Sequence, residues 1–190
     1  MRGRTYVELN QCEKALKDYK KAIELKPASS EAHNSRGIAY AKLNQHKKAL
    51  KDYKKAIELK PDFSEAYYNR GIAHRELDQL ESAVDDFSMF IKLRPDMVES
   101  YCNRGQAYIE LKEPELALKD FDKVLELDPQ HFFAYYNKAV AYSLMKKPDE
   151  AIPMLQKAIS LDKRYIEWAK TDKDFDNIRN DPRFKALLSH

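Results

Sequence analysis

Small and apolar side chains recur along this chain at helical spacing in short blocks, and the blocks themselves recur. In residues 65–77 the stripe is Ala66, Ile72, Ala73 and Leu77 with the ring of Tyr67. A short polar link, Asp78-Gln79-Leu80, separates it from a second stripe of Ala83, Val84, Phe87, Phe90 and Ile91. That stripe runs out at Leu93-Arg94-Pro95, where the proline ring blocks further helix. Two amphipathic helices joined so closely are expected to pack antiparallel, and Gly71 lets them cross closely because it carries no side chain.

The same unit appears along most of the chain. Prolines stand at 27, 61, 95 and 129, and glycines at 3, 37, 71 and 105, with Ala139 next in line. Alanines stand at 15, 49, 83, 117 and 151, and an aromatic column runs Tyr19, Tyr53, Phe87, Phe121, closed by Leu155. Columns sharing one 34-residue register mark a repeat architecture. The pattern Tyr67-x-x-Arg70-Gly71-x-x-His74, then Ala83-x-x-x-Phe87, then Pro95, resembles the tetratricopeptide repeat over about residues 1–163. The resemblance implies an all-α fold, a right-handed α-α superhelical solenoid in which first helices line a concave groove and second helices form the convex back. Five units are expected, at about 1–29, 30–63, 64–97, 98–131 and 132–163, followed by a capping segment over 164–190. His74, standing where the repeat has tyrosine, is expected to be a packed core histidine.

Arg36, Arg70 and Arg104 depart from the family, which usually has leucine there. Each precedes the repeat glycine, and Asp18, Asp52, Asp86 and Asp120 each precede the aromatic. The pairs Arg2/Asp18, Arg36/Asp52, Arg70/Asp86 and Arg104/Asp120 are therefore expected to be half-buried ion pairs that set register more than net stability. In the fifth unit Lys138 faces Met154, and no acid is expected for it. At the N-terminus most of the turn before Gly3 is missing, so the first unit reads as truncated and as leaving Leu16 and Ile23 poorly covered. Self-association through this uncapped end is the alternative to binding a separate partner. At the other end, helix is expected to continue or restart beyond Lys163 through Trp168, and Asp181-Pro182 has the chemistry of a helix start for 183–188. Trp168, Phe175, Phe184 and Leu187 are expected to cover the fifth unit, and Pro153 to kink or delay its last repeat helix.

The family geometry implies groove positions on the first helices. These are Glu31, Asn34, Ile38 and Lys42; Glu65, Tyr68, Asn69, Ile72 and Arg75; Glu99, Cys102, Asn103 and Gln106; and Phe133, Tyr136, Asn137 and Val140. Asn69, Asn103 and Asn137 form one column, and an asparagine amide can donate to and accept from a single peptide unit. The column resembles the asparagine ladder of the repeat domain of O-linked N-acetylglucosamine transferase, which implies gripping of an extended backbone. Tyr68, Phe133 and Tyr136 add aromatic anchors of the type that dominates interfaces. Repeat domains that hold acidic chaperone tails use basic groove residues; around the corresponding places stand Asn34, Asn69 and Glu99, so that ligand is not expected.

Composition narrows the function further. The chain is 43% hydrophobic and 34% charged with four glycines, which suits helices, and its apolar runs are far too short to span a membrane. No secretion signal is visible, Cys12 and Cys102 form no metal or redox motif, and a cytoplasmic location is the default expectation. The five histidines are scattered, and neither a phosphate-binding loop nor a nucleophile elbow is present. No catalysis, cofactor or metal is expected. Residues 1–60 carry 15 Lys/Arg against 7 Asp/Glu, whereas residues 61–130 carry 8 against 16, so the surface is bipolar. Lys14, Lys17, Lys20, Lys21, Lys47, Lys48, Lys51, Lys54 and Lys55 give the N-terminal part a basic convex face suited to weak phosphate contact. They lack interleaved aromatics, so a protein or peptide partner is expected rather than nucleic acid.

Overall fold

The computed structural model describes residues 11–189, which form eleven α-helices and one short 3-10 helix, with no strand among them. By contact the chain divides into two compact units, Met1–Pro95 and Asp96–His190. In the first, α1 (Cys12–Leu25), α2 (Ser30–Lys42), α3 (His46–Leu59), α4 (Ser64–Arg75) and α5 (Leu80–Leu93) pack each on the next. The second contains α6 (Val98–Glu110), α7 (Pro114–Leu127), α8 (Phe132–Leu144) and α9 (Pro148–Leu161), again packed in sequence. It ends with α10 (Arg164–Thr171), a 3-10 turn (Lys173–Phe175) and α11 (Pro182–Leu187), of which α10 and α11 touch α9 while the turn touches α8.

One turn joins the two helices of each pair wherever both are described in full. Asn44, Asp78, Lys112 and Lys146 all have φ between 56° and 61°, the left-handed region. Each donates to the carbonyl three residues back, and the next residue reaches five back, as in Asn44 to Ala41 and Gln45 to Tyr40 at 2.9 Å each. Those bonds satisfy the last carbonyls of the first helix. Asn and Asp tolerate the left-handed region well; lysine pays a local cost there.

The crossing behaves as the glycine column predicts. A Cβ built on Gly37 would lie 2.5 Å from the ring of Tyr53, one on Gly71 2.9 Å from Phe87, and one on Gly105 2.8 Å from Phe121. All three rings are fully buried. In the fifth unit both partners change together: buried Ala139 replaces glycine and buried Leu155 replaces the ring, so a larger residue on one helix meets a smaller one on the other.

Three arginine–aspartate pairs form as expected. Arg36 Nε and Nη2 donate to Asp52 Oδ2 and Oδ1 at 2.8 and 2.7 Å. Arg70 binds Asp86 at 2.8 and 2.6 Å, and Arg104 binds Asp120 at 2.9 and 2.7 Å. The aspartates are buried and the arginines are only about a fifth exposed. Burial nonetheless pushes the Asp120 carboxyl above its usual range even with Arg104 beside it, so desolvation outweighs the pair there. Arg2 and Gly3, and with them the expected Arg2/Asp18 pair, lie outside the described residues, while Leu16 and Ile23 are half-buried.

Four expectations need correction. Lys138 does have an acid, Asp122 on α7, because the preceding helix supplies what its own pair lacks. Pro153 does not delay α9, which starts at Pro148 and runs through it. Proline at that place forgoes a single bond to the carbonyl of Asp149, in the first turn. His74 is not a core residue: about a fifth exposed, it contacts Gln79 Oε1 at 2.7 Å and lies 3.8 Å from Asp86. Trp168 does not seal the fifth unit, being 52% exposed; Tyr165 and Ala169 of the same helix are buried in its place, with Phe175 and Phe184.

Candidate functional site

In the first unit, the positions marked on α2 and α4 meet side by side. Asn69 Nδ2 donates to Asn34 Oδ1 at 3.1 Å, linking neighbouring first helices, and Asn34 is buried. Tyr68 lies against the core, its ring 5.1 Å from Phe90 and 6.0 Å from Phe87. Ile38, Ile72 and Arg75 are half-buried, while Glu31, Lys42 and Glu65 are exposed. The Glu31 carboxyl is held below its usual range chiefly by a backbone hydrogen bond, as suits a helix start.

In the second unit, Asn103 Nδ2 donates to Glu99 O and Asn137 Nδ2 to Phe133 O, both at 2.8 Å. The three asparagines of the column thus each spend one of their two amide N–H donors within the protein. Glu99 is exposed and Cys102 is buried, its thiol pushed up to about 12 by burial.

Gln106, Phe133, Tyr136, Asn137 and Val140, all marked from sequence, line one open pocket of about 390 Å³. Ile109 and Glu110 of α6 complete its repeat side, and Trp168, Thr171, Asp172 and Asp174 close the other. These last residues belong to the segment read from sequence as a cap. The pocket exists because that segment is hung from α8: Tyr136 Oη donates to Asp172 Oδ2 at 2.6 Å and Ser143 Oγ to Asp174 O at 2.6 Å. Arg179 braces the turn by donating to the carbonyls of Lys170 and Asp172 at 2.8 and 2.5 Å. Trp168 is fixed by edge contacts, its ring 4.9 Å from Tyr165 and 6.3 Å from Tyr136. Burial, then the Asp172 hydrogen bond, pushes the Tyr136 hydroxyl far above its usual range. Tyr136 is therefore a buried, tethered wall rather than an exposed anchor.

A second column escaped the sequence reading. His33, Tyr67 and Tyr135, each six residues after a repeat proline, contact the carbonyls of Pro27, Pro61 and Pro129 at 3.1, 3.2 and 3.2 Å. Their place in the 34-residue register, with Tyr135 two periods after Tyr67, was visible; the carbonyl they tie down was not.

Tetratricopeptide repeat models match residues 30–63, 98–131 and 132–165 and, separately, 52–85, and a TPR repeat model matches 3–44. The first of these alone accounts for more than half of the chain. The chain belongs to the tetratricopeptide repeat family. Its all-α solenoid fold is shared with MamA, whose crystal structure gives a TM-score of 0.81 at 24% identity over 87% of this chain and 96% of that one. MamA 41-end from Desulfovibrio magneticus RS-1 gives 0.80 at 20% identity over 85% and 92%. YrrB, described as a TPR protein with an unusual peptide-binding site, gives 0.80 at 27% identity over 90% and 89%. No curated protein matches the chain.

Within this tetratricopeptide protein, among the described residues, no helix is long and apolar enough to cross a membrane and no group of three or more His, Cys, Asp or Glu is placed to hold a metal ion. The nine lysines of α1 and α3 are all exposed, on helices that pack against α2 and α4 rather than among the marked positions.

Proposed function

We propose that the chain is a protein-interaction module that holds an extended stretch of a partner polypeptide against first helices of its repeats, with α6 and α8 of the second unit forming the site that carries the reading. Family membership supports the general role, and the peptide-binding site named for YrrB supports the form of the ligand. The observation that carries the reading is the convergence of Gln106, Phe133, Tyr136 and Asn137 on one pocket. A concave site walled by aromatic groups with a few placed polar atoms is what recognition of a flexible ligand uses. The module is proposed to comprise the five repeats and the segment 164–190 together, with no catalytic role.

The test is capture from a library of random unstructured dodecapeptides by the wild type, by Asn69→Ala and by Gln106→Ala/Phe133→Ala, each shown folded by circular dichroism. The wild type is expected to enrich a defined peptide set, with affinity reduced at least about fivefold in the double variant, the scale of an interface hot spot. Equal capture by wild type and double variant would move the function away from this face, toward the exposed lysines of α1 and α3.

A further inference from the structure

We infer that the second-unit pocket takes an arginine side chain of the bound polypeptide, its guanidinium held between the indole of Trp168 and the carboxylates of Glu110 and Asp174. The inference rests on the peptide-binding reading above and deepens it by naming what the pocket selects.

Charge is the first argument. The residues lining the pocket include the three acids Glu110, Asp172 and Asp174 and no lysine or arginine. A nearby cation, Lys112, reaches Asp174 at 3.8 Å with its own side chain 68% exposed, a contact weakened by solvent. Asp172 is already committed to structure, accepting from the Tyr136 hydroxyl and, at 3.0 Å, from the backbone N–H of Asp174. Its fixed negative charge and burial together hold the Asp174 carboxyl above its usual range, with burial the larger cause. A cation entering the pocket relieves that repulsion; an apolar or acidic side chain would strip water from the carboxylates and return nothing.

Shape and chemistry narrow the cation. The pocket holds about 390 Å³, at the small end of the range of ~300–1,000 Å³ for ligand sites, so it suits one long side chain rather than a folded surface. No cluster able to ligate a metal is present among the described residues. Trp168 is half exposed yet held by Tyr165 and Tyr136, so the indole is pre-positioned at the rim beside the acids. Aromatic face plus carboxylate is the surrounding that favours guanidinium over ammonium, because the planar group stacks and presents its donors as a fork.

The chain has a single tryptophan, so the one indole N–H resonance in a nitrogen–proton correlation spectrum reports this pocket alone. The full chain is titrated with the capped pentapeptide Gly-Ser-Arg-Ser-Gly and with its lysine and citrulline counterparts. The arginine peptide is expected to shift the indole resonance saturably. The citrulline peptide, equal in shape but uncharged, should bind at least about fivefold more weakly, and lysine should fall between. In Glu110→Gln/Asp174→Asn the arginine affinity should drop about tenfold, while Trp168→Phe, followed through the Asn137 side-chain amide, should lose less. An unmoved indole resonance, equal binding of the citrulline peptide, or unchanged affinity in the folded double carboxylate variant would each overturn the inference. If the random library is captured with no preference for arginine, the inference falls and the peptide-binding reading stands. If no peptide is captured at all, both fall.

Discussion

Gly37 and Tyr53 show how tightly single residues fix this architecture. A methyl group on Gly37 meets a buried ring at 2.5 Å, and the ring, packed on all sides, cannot withdraw without opening its surroundings. Gly37→Ala should destabilise the protein by about 1–3 kcal/mol through overpacking, despite alanine's better helix propensity. The fifth unit suggests the remedy, since it pairs Ala139 with Leu155. Adding Tyr53→Leu to Gly37→Ala should therefore cost less than the sum of the single changes in urea denaturation, and additivity would refute the steric account. The arginine–aspartate pairs make a second residue-scale case. Asp120→Ala strands a mostly buried guanidinium and should cost about 3 kcal/mol, whereas Arg104→Leu/Asp120→Ala should lie within about 1 kcal/mol of wild type. If the single and double variants are equally unstable, the pair contributes true attraction rather than mutual compensation.

At the scale of elements, the tight link between paired helices is the recurring device. A residue in the left-handed region caps the first helix and the next residue starts the second, so the pair turns back within a few residues. Asn44 and Asp78 suit the conformation; Lys112 and Lys146 are held in it by the packing of the helices they join. Lys146→Gly should raise stability by about 0.5–1 kcal/mol by removing that conformational cost, read as a higher unfolding temperature. A neutral or lower value would mean that the lysine side chain stabilises the turn by other contacts. The column of His33, Tyr67 and Tyr135 acts on the other link, from second helix to next first helix, by tying a ring to the carbonyl of the repeat proline.

At the scale of the molecule, the C-terminal segment does more than cover the last repeat. It is suspended from α8 by Tyr136 and Ser143, from α9 by the pair Arg183–Asp149 at 2.8 Å, and it supplies one wall of the pocket. Its last helix begins at Asp181, whose side chain accepts from the Arg183 backbone and guanidinium, and whose carboxyl is lowered to about 2, chiefly by the guanidinium hydrogen bond. A depressed acid contributes stability above its unfolded value, about 3.9, and loses it as pH falls through the folded one. The ring resonances of Phe184 should therefore move toward unfolded values between about pH 4 and pH 2, ahead of the repeats. Loss of the two in a single step would show that α11 is not the weakest attachment.

How far each level could be read from sequence follows from the range of the interactions involved. Helix stripes, the glycine–aromatic crossing and the three arginine–aspartate pairs depend on residues 16 apart within one unit that repeats, so the sequence by itself determined them. That the marked positions fall on first helices was legible for the same reason, through the shared register. What tertiary structure alone decided lies between units of the repeat or beyond it. Lys138 finds Asp122 on a helix of the preceding unit. The asparagine donors turn to Asn34 and to their own helices. Trp168 stays open because Tyr165 takes the buried place on α10. Asp172 and Asp174 enter the pocket because a hydroxyl 36 residues earlier holds the turn in position. Such contacts have no period and no second copy in the chain, and only the packed molecule reveals them.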